Sequence, residues 1–358
     1  MAYVYRFPVV KGVQANREYY IAMVPLKMLS KLFPPDEEYV PPEYRAQRKL
    51  NATRIPIISK YILQNRDSYV FSALAASIDG NFTFHPSGVP DVGTLEISMD
   101  AKLLINDGQH RKAAILEALS EDETLSNETI SIVFFEDQGL AQSQQMFTDL
   151  NKHAVKTSNS IAELYDSRDP MAVVTRTVIS KIKFLNTYTD KEKDNLGKYS
   201  SNLFTLSTFY NANKRILRTE IITKKEEAFL TKYWRCITQN IIPWKELSKR
   251  EISKIDLREN YIVTQAVTIQ VLGRLGNFFI SNPSYKMEDI LSKLQEVNWR
   301  RDSEEWKLRT IRSNGRMIVN EEAIILTCNI LKKQLGLPLD DFEQTKEQTF
   351  QIGSTAHV

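Results

Sequence analysis

Short apolar runs divided by turn residues dominate the first 150 positions, and apolar residues at three- and four-residue spacing dominate the rest. The first 30 residues read as mixed strand and turn. Within them Tyr19–Val24 is aromatic and β-rich, and Pro25 interrupts the ladder. Residues 34–42 hold four prolines, which predicts an exposed loop. Ile55, Ile58 and Ile62 fall on one helical face, and Leu63 continues it. Residues 70–78 predict a buried strand that turns at Asp79-Gly80-Asn81, and the prolines and glycines of 86–93 predict a loop between strands. Leu95–Met99 and Lys102–Ile105 are the next apolar runs. After Gly108 the period changes: Ala113, Ala114, Leu116, Ala118 and Leu119 favour a helix that ends before Asn127. Ile130–Phe135 predicts a buried strand, and a helix over 140–150 places Met146, Phe147 and Leu150 on one face.

Helical periodicity then holds over 171–182, 203–218, 226–242, 261–279 and 321–335, with no repeat of fixed period. The expected fold is α+β. A small α/β domain with a mixed sheet would cover 1–160, a mainly helical domain 161–345, and a frayed polar tail 346–358. Composition adds little to that picture: 42% hydrophobic and 25% charged residues are those of a globular protein. No apolar run approaches the roughly 18 residues of a membrane span, so no membrane partner is expected. Met1-Ala2-Tyr3-Val4-Tyr5-Arg6 lacks the layout of a signal peptide, so the expected address is the cytoplasm. The 2 cysteines, Cys236 and Cys328, and 4 histidines are too few for a disulfide framework or a cysteine-rich metal site; neither zinc nor an iron–sulfur cluster is expected. Charge says more. The net +3 divides into 14 Lys+Arg against 19 Asp+Glu over 1–150, a balance of −5, and 33 against 25 over 151–358, a balance of +8. The basic half is the one expected to meet a polyanion, although drift along a long chain remains open.

The most informative segment is Leu103–Ile115. A strand runs into a turn at Asp107-Gly108 and a helix starts at once, which presents free N–H groups to an anion. Gly108 permits a close approach or a dihedral that a side chain would block, and Arg111 adds a planar cation suited to phosphate oxygens. Asp107 stands where a carboxylate holds Mg²⁺ or orients water, and His110 where an imidazole donates to phosphate or shuttles a proton. A structural alternative stays open: Asp107 as N-cap, Gly108 as turn residue, Arg111 as partner of Asp107. The segment is neither a Walker loop nor a dinucleotide fingerprint, because the further residues of both are missing.

Asp107-Gly108-Gln109-His110-Arg111 resembles the signature of the DGQHR-domain proteins. The surrounding chain resembles their DndB branch, associated with bacterial DNA phosphorothioation, a sulfur modification of DNA linked to defence. The likeness takes in Arg45–Asn51, Tyr69–Leu74, Ala76–Gly80, Ser143–Val155 and Leu257–Tyr261, and Leu335-Gly336-Leu337 is compatible with it. It implies an N-terminal fold similar to the ParB and sulfiredoxin group, in which a Gly-x-x-Arg turn meets nucleotide phosphate. By that resemblance Gly108, His110 and Arg111 would bind phosphate, with Asp107 beside them; Gln109 is expected at the same phosphate, and Asp107 is the candidate Mg²⁺ ligand. It also implies DNA binding and negative regulation of the modification gene cluster. The alternative is a Mg²⁺-dependent NTPase accessory to sulfur or 7-deazaguanine modification, with Asp107, His110 and Arg111 as its catalytic residues and ATP or another NTP as ligand. Similar proteins can carry a cysteine near the stretch matching Met23–Leu26; this chain has none there, which puts thiol control of DNA binding in doubt.

Three further constellations bear on the site. Gln47, Arg48 and Asn51 precede the Ile55 helix and are expected to line the same pocket or to cap that helix. Asn151 and Lys152, with His153 and Lys156, either reach the phosphate or complement a helix C-terminus. In the basic half, Lys214, Arg215, Arg218, Lys224 and Lys225 form one cluster. Arg300, Arg301, Arg309, Arg312 and Arg316, interleaved with Trp299 and Trp306, form a second. Both are expected DNA contacts, against the alternative of solvated faces with tryptophan core anchors. The expected partners are promoter DNA of the protein's own cluster and other DNA-modification proteins, with a homo-oligomer also open.

Overall fold

The computed structural model describes residues 3–34, 51–137, 139–152, 157–197 and 199–355. The chain divides into two compact units, residues 1–155 and 156–358.

The first unit is built on a seven-stranded sheet in the order β4-β5-β1-β2-β7-β3-β6. The strands are β1 (Val4–Gln14), β2 (Arg17–Pro25), β3 (Leu74–Asp79), β4 (Phe82–Pro86), β5 (Val92–Ser98), β6 (Lys102–Asp107) and β7 (Thr129–Glu136). Neighbours are antiparallel except β3 and β7, which run parallel, so the sheet is mixed. Ala15 and Asn16 both have positive φ in the two-residue β1–β2 turn, the backbone that matches the twist of paired strands. Strand β7 alternates buried and half-buried residues, placing Ile130, Ile132 and Phe134 in the core with Phe7, Val9, Ala22, Val24, Leu95 and Ile97. Pro25 closes β2 as its missing N–H requires, and Leu26 then donates to the Glu128 carbonyl. Helices α1 (Leu29–Leu32), α2 (Ile55–Gln64) and α3 (Gln109–Glu121) add Leu29, Leu32, Ile62, Ile115 and Ala118 to the same core. Helix α4 (Leu140–Lys152) follows β7.

One strand starts later than its apolar run. Residues 70–73 lie outside the ladder, and β3 begins at Leu74. The carbonyls of Ser72 and Ala73 are taken by the Arg111 guanidinium instead of a neighbouring strand.

The second unit is helical: α5 (Asn159–Tyr165), α6 (Pro170–Lys181), α7 (Lys183–Tyr188), α8 (Leu206–Leu217), α9 (Lys224–Asn240) and α10 (Ile242–Lys249). It continues with α11 (Lys254–Asn260), α12 (Ala266–Ser281), α13 (Met287–Ser292), α14 (Glu321–Gln334) and α15 (Asp341–Thr355). A two-residue parallel pair, β8 (Thr189–Asp190) with β9 (Phe204–Thr205), takes the first residues of the run expected to be helical from 203. Thr205 then caps α8. Phe209, Trp234, Trp244, Leu272 and Leu275 fill the core. Gly273 and Gly276 bring α12 close to α8: a Cβ on Gly273 would stand 2.9 Å from the Ala212 carbonyl oxygen.

The polar C-terminal stretch, expected to fray from 346, instead continues α15 to Thr355. Buried ion pairs hold that helix. Glu343 meets Lys332 at 2.6 Å and Arg274 at 2.9 Å, and Glu347 meets Arg309 at 2.7 Å. No helix among the described residues is long and apolar enough to cross a membrane.

Candidate functional site: the head of α3 and the basic clusters

The turn between β6 and α3 is set by three features. Strand β6 is an edge strand whose pairing with β3 slips between Ala75 and Ala76, and this places Asn106 in a bulge immediately before Asp107. Asn106 is fully buried and accepts from the Ser77 hydroxyl at 2.8 Å. Gly108 has φ +102°, and a Cβ there would meet the buried Leu74 methyl at 2.4 Å, so only glycine fits. Gly108 is also the N-cap of α3 and supplies no capping side chain, and the first turn holds no acidic residue. The N–H groups of Gln109, His110 and Arg111 consequently have no hydrogen-bond partner among the described residues.

The side chains of the motif are engaged internally. Arg111 Nη1 donates to the Ser72 carbonyl and hydroxyl at 2.6 Å each and to the Ala73 carbonyl at 2.8 Å, and Nη2 pairs with Asp107 Oδ2 at 2.6 Å. The Asp107–Arg111 pair considered from sequence is therefore present, and Arg111 clamps the chain that enters β3. Gln109 Nε2 donates to the Ile105 carbonyl at 2.9 Å. His110 Nε2 accepts the Asn51 N–H at 2.9 Å, which makes it the unprotonated nitrogen. Burial, with the Arg54 charge nearby, holds the His110 imidazole below its ordinary value. His110 is thus a neutral acceptor with Nε2 occupied, and only Nδ1 remains for other use.

Three stretches that lie apart in sequence meet here: Asn51, Ser72–Ala73 and Asp107–Arg111. Asn51 caps a 3₁₀ turn over Ala52–Arg54, its Oδ1 accepting from the Thr53 N–H and hydroxyl. Gln47 and Arg48 lie outside the described residues. Asn151 and Lys152 close α4, with side chains outside the described set, as are His153 and Lys156. Among the described residues, no group of three His, Cys, Asp or Glu side chains comes together to hold a metal ion. Both thiols, Cys236 and Cys328, are buried, and burial pushes the Cys328 thiol up to about 12.

The two basic clusters of the helical unit fare differently. Lys214, Arg215 and Arg218 line one cavity of about 570 Å³ beside Ser207, Thr208, Asn211, Ala266 and Gln270. Lys224 and Lys225 are exposed in the first turn of α9, which Thr223 and Glu226 cap reciprocally. The second cluster is broken up. Arg309, expected to face DNA, is 8% exposed, its guanidinium bidentate to Glu347 and 4.3 Å over the Phe350 ring; this corrects its assignment. Arg300 pairs with Asp302 and lies over Tyr261, and Arg301 is half-buried. Trp299 and Trp306 are core anchors, stacked 6.0 Å apart. Arg312 and Arg316 remain exposed on a turn closed by the Arg312 N–H to the Arg316 carbonyl at 2.8 Å.

Sequence reasoning missed the contributions of Ser72 and Ala73. A basic motif residue whose natural partner is backbone leaves no side-chain signal.

Neither a curated protein nor a solved structure matches the chain. A family model, DndB, described as DNA-sulfur modification-associated, matches residues 7–338, which takes in the head of α3 and the α8–α12 cavity. With the strand–bulge–glycine turn carrying Asp107–Arg111 inside a match of that length, the chain belongs to the DndB family of DNA-sulfur modification-associated proteins.

Proposed function

We propose that this protein binds DNA and acts as a negative regulator of a DNA sulfur modification gene cluster, with the head of α3 as a phosphate cradle. The observation that carries the reading is the uncapped start of α3 within a DndB-family chain: three unpartnered N–H groups on a positive dipole end. Arg111 supports the cradle by fixing the strand that flanks it, not by reaching out to the ligand. The acidic balance of the first 150 residues favours a compact phosphate group at this position over an extended polyanion.

The enzymatic alternative, a Mg²⁺-dependent NTPase, has one atom in its favour. Asp107 Oδ2 is held by Arg111, and Oδ1 has no partner among the described residues, so it is free for a cation. Mg²⁺ there would take its remaining ligands from phosphate and water and would neutralise phosphoryl charge. Against it stand the engaged guanidinium of Arg111 and the occupied Nε2 of His110.

The test is a gel shift on the promoter region of the protein's own cluster. Retention that weakens steeply between about 50 and 200 mM salt supports the regulator. Absence of retention at the lower salt overturns it. Mg²⁺-dependent phosphate release that disappears in Asp107→Asn would instead establish the NTPase.

A further inference from the structure

The cavity between α8 and the head of α12 has features that a solvated helix face does not need. Its α8 wall is a stripe: Ser207, Asn211, Lys214 and Arg218 recur at four-, three- and four-residue spacing, with Thr208 and Arg215 beside them. The hydroxyls and amides lining the cavity are engaged elsewhere: Ser207 Oγ accepts from Ser160 Oγ at 3.2 Å, and Thr208 Oγ1 meets Thr205 Oγ1 at 2.8 Å. Asn211 donates to the Ser207 carbonyl at 2.9 Å, and Gln270 donates to the Thr208 carbonyl at 3.0 Å. Arg215 is likewise engaged, bidentate to Glu321 at 2.6 and 2.9 Å.

What remains is unpartnered and positive. The side chains of Lys214 and Arg218 are exposed and make no hydrogen bond or ion pair among the described residues, although the Arg218 charge acts on Glu321 at longer range. Arg218 closes α8 in the left-handed region, φ +50°, where its N–H bonds the Lys214 carbonyl at 3.0 Å. The opposite wall is the first turn of α12. Its N-cap, Gln265, makes no capping bond, no acidic residue lies in the turn, and the N–H groups of Ala266 and Val267 have no partner among the described residues. The contact at Gly273 with Ala212 seats this helix head against the α8 stripe. An adjoining cavity of about 300 Å³ shares Thr208 and Ala266 and is lined also by Thr264, whose hydroxyl is buried and has no partner among the described residues.

We infer that this cavity is a second, separate anion site, and that it seats the phosphate backbone of DNA through Lys214, Arg218 and the N–H group of Ala266. It rests on the DNA-binding reading above and names where the helical unit would take the strand. From Ser207 to Arg218 the stripe spans about 16 Å at 1.5 Å per residue. Along it the free cations, Lys214 and Arg218, stand four residues or about 6 Å apart; with the +8 balance of residues 151–358 they favour a polynucleotide over a free nucleotide. The groups assigned to the strand, two cations and a main-chain N–H, are those that meet phosphate, so the site would position DNA and not read sequence.

The test measures binding of a labelled promoter duplex, a scrambled duplex and labelled ATP across a salt series. The double variant Lys214→Gln/Arg218→Gln should weaken both duplexes about equally, by roughly tenfold or more, and lower the slope of log K against log salt by about two. Lys224→Gln/Lys225→Gln, the same charge change on the exposed start of α9, should stay within about twofold of the unaltered protein. Ala266→Asp should weaken duplex binding while leaving thermal stability unchanged or raised, because an acidic first turn favours the helix and repels phosphate. If the unaltered protein binds duplex and the two double variants lose affinity alike, or neither loses any, the site is wrong while the DNA reading stands. Loss of ATP binding with duplex binding intact would make it a nucleotide site and overturn the backbone assignment. Failure of the unaltered protein to bind any duplex would sink the DNA reading and this inference with it.

Discussion

The two units use their cations in opposite ways. In the sheet unit the conspicuous arginine, Arg111, is turned onto its own backbone, and the phosphate-binding capacity left at the head of α3 lies in bare N–H groups. In the helical unit Arg309 is likewise turned inward and Arg300 is paired with Asp302 at the surface, whereas the side chains of the quieter pair Lys214 and Arg218 make no ion pair across from another bare helix head. A cation is available to a ligand only when the fold offers it no carboxylate or carbonyl. Engaged charges should therefore cost stability when removed, and free ones should cost binding alone.

The largest expected loss comes from the network that holds α15. Glu343→Gln leaves Lys332 buried without its counter-charge, and urea unfolding should register a loss of about 3–5 kcal/mol. An unchanged midpoint would mean that α15 is not seated as described. Gly108→Ala follows, at about 2–4 kcal/mol, since the left-handed backbone and the fixed Leu74 methyl both resist a Cβ. Arg111→Lys should cost about 1–3 kcal/mol, because an ammonium cannot bridge Ser72, Ala73 and Asp107 together.

Acidification should separate the units by sign. His110 is held below its ordinary 6.5, so the unfolded chain takes up its proton first, and this contribution to stability is lost as pH falls from about 6.5. Glu163 in the helical unit is raised to about 7 by burial and by Asp194 and Asp169. The folded state takes up its proton first, so stability rises as pH falls from about 7 toward the ordinary value. Melting curves of His110→Gln and Glu163→Gln across that range should flatten one slope each, in opposite directions. The smallest effect belongs to Lys214→Gln/Arg218→Gln, whose stability should stay within about 0.5 kcal/mol of the unaltered protein. A larger drop would show that these side chains hold the fold after all.

Much of the architecture was legible from period alone. The β-branched and aromatic run over 130–135 and the spacing of Ile55, Ile58 and Ile62 reflect local preference and burial on one face, and both elements form where expected. The late start of β3 at Leu74 was not legible, because it depends on a guanidinium 39 residues away. The persistence of α15 escaped for a related reason: its polar residues Glu343 and Glu347 read as solvated, and only the folded chain brings Lys332, Arg274 and Arg309 to them.

For the candidate site, the sequence by itself determined the strand–glycine–helix turn at 107–111, the family to which it belongs, and the excess of positive charge beyond residue 150. These follow from short-range geometry and from counting. Tertiary structure decided which charges are free. It engaged Arg111, Arg215 and Arg309, left Lys214 and Arg218 open, and set the head of α12 against them. The physical reason is that a charge's partner is its nearest neighbour in space, and across 39, 106 or 38 residues of chain no local pattern reports who that neighbour will be.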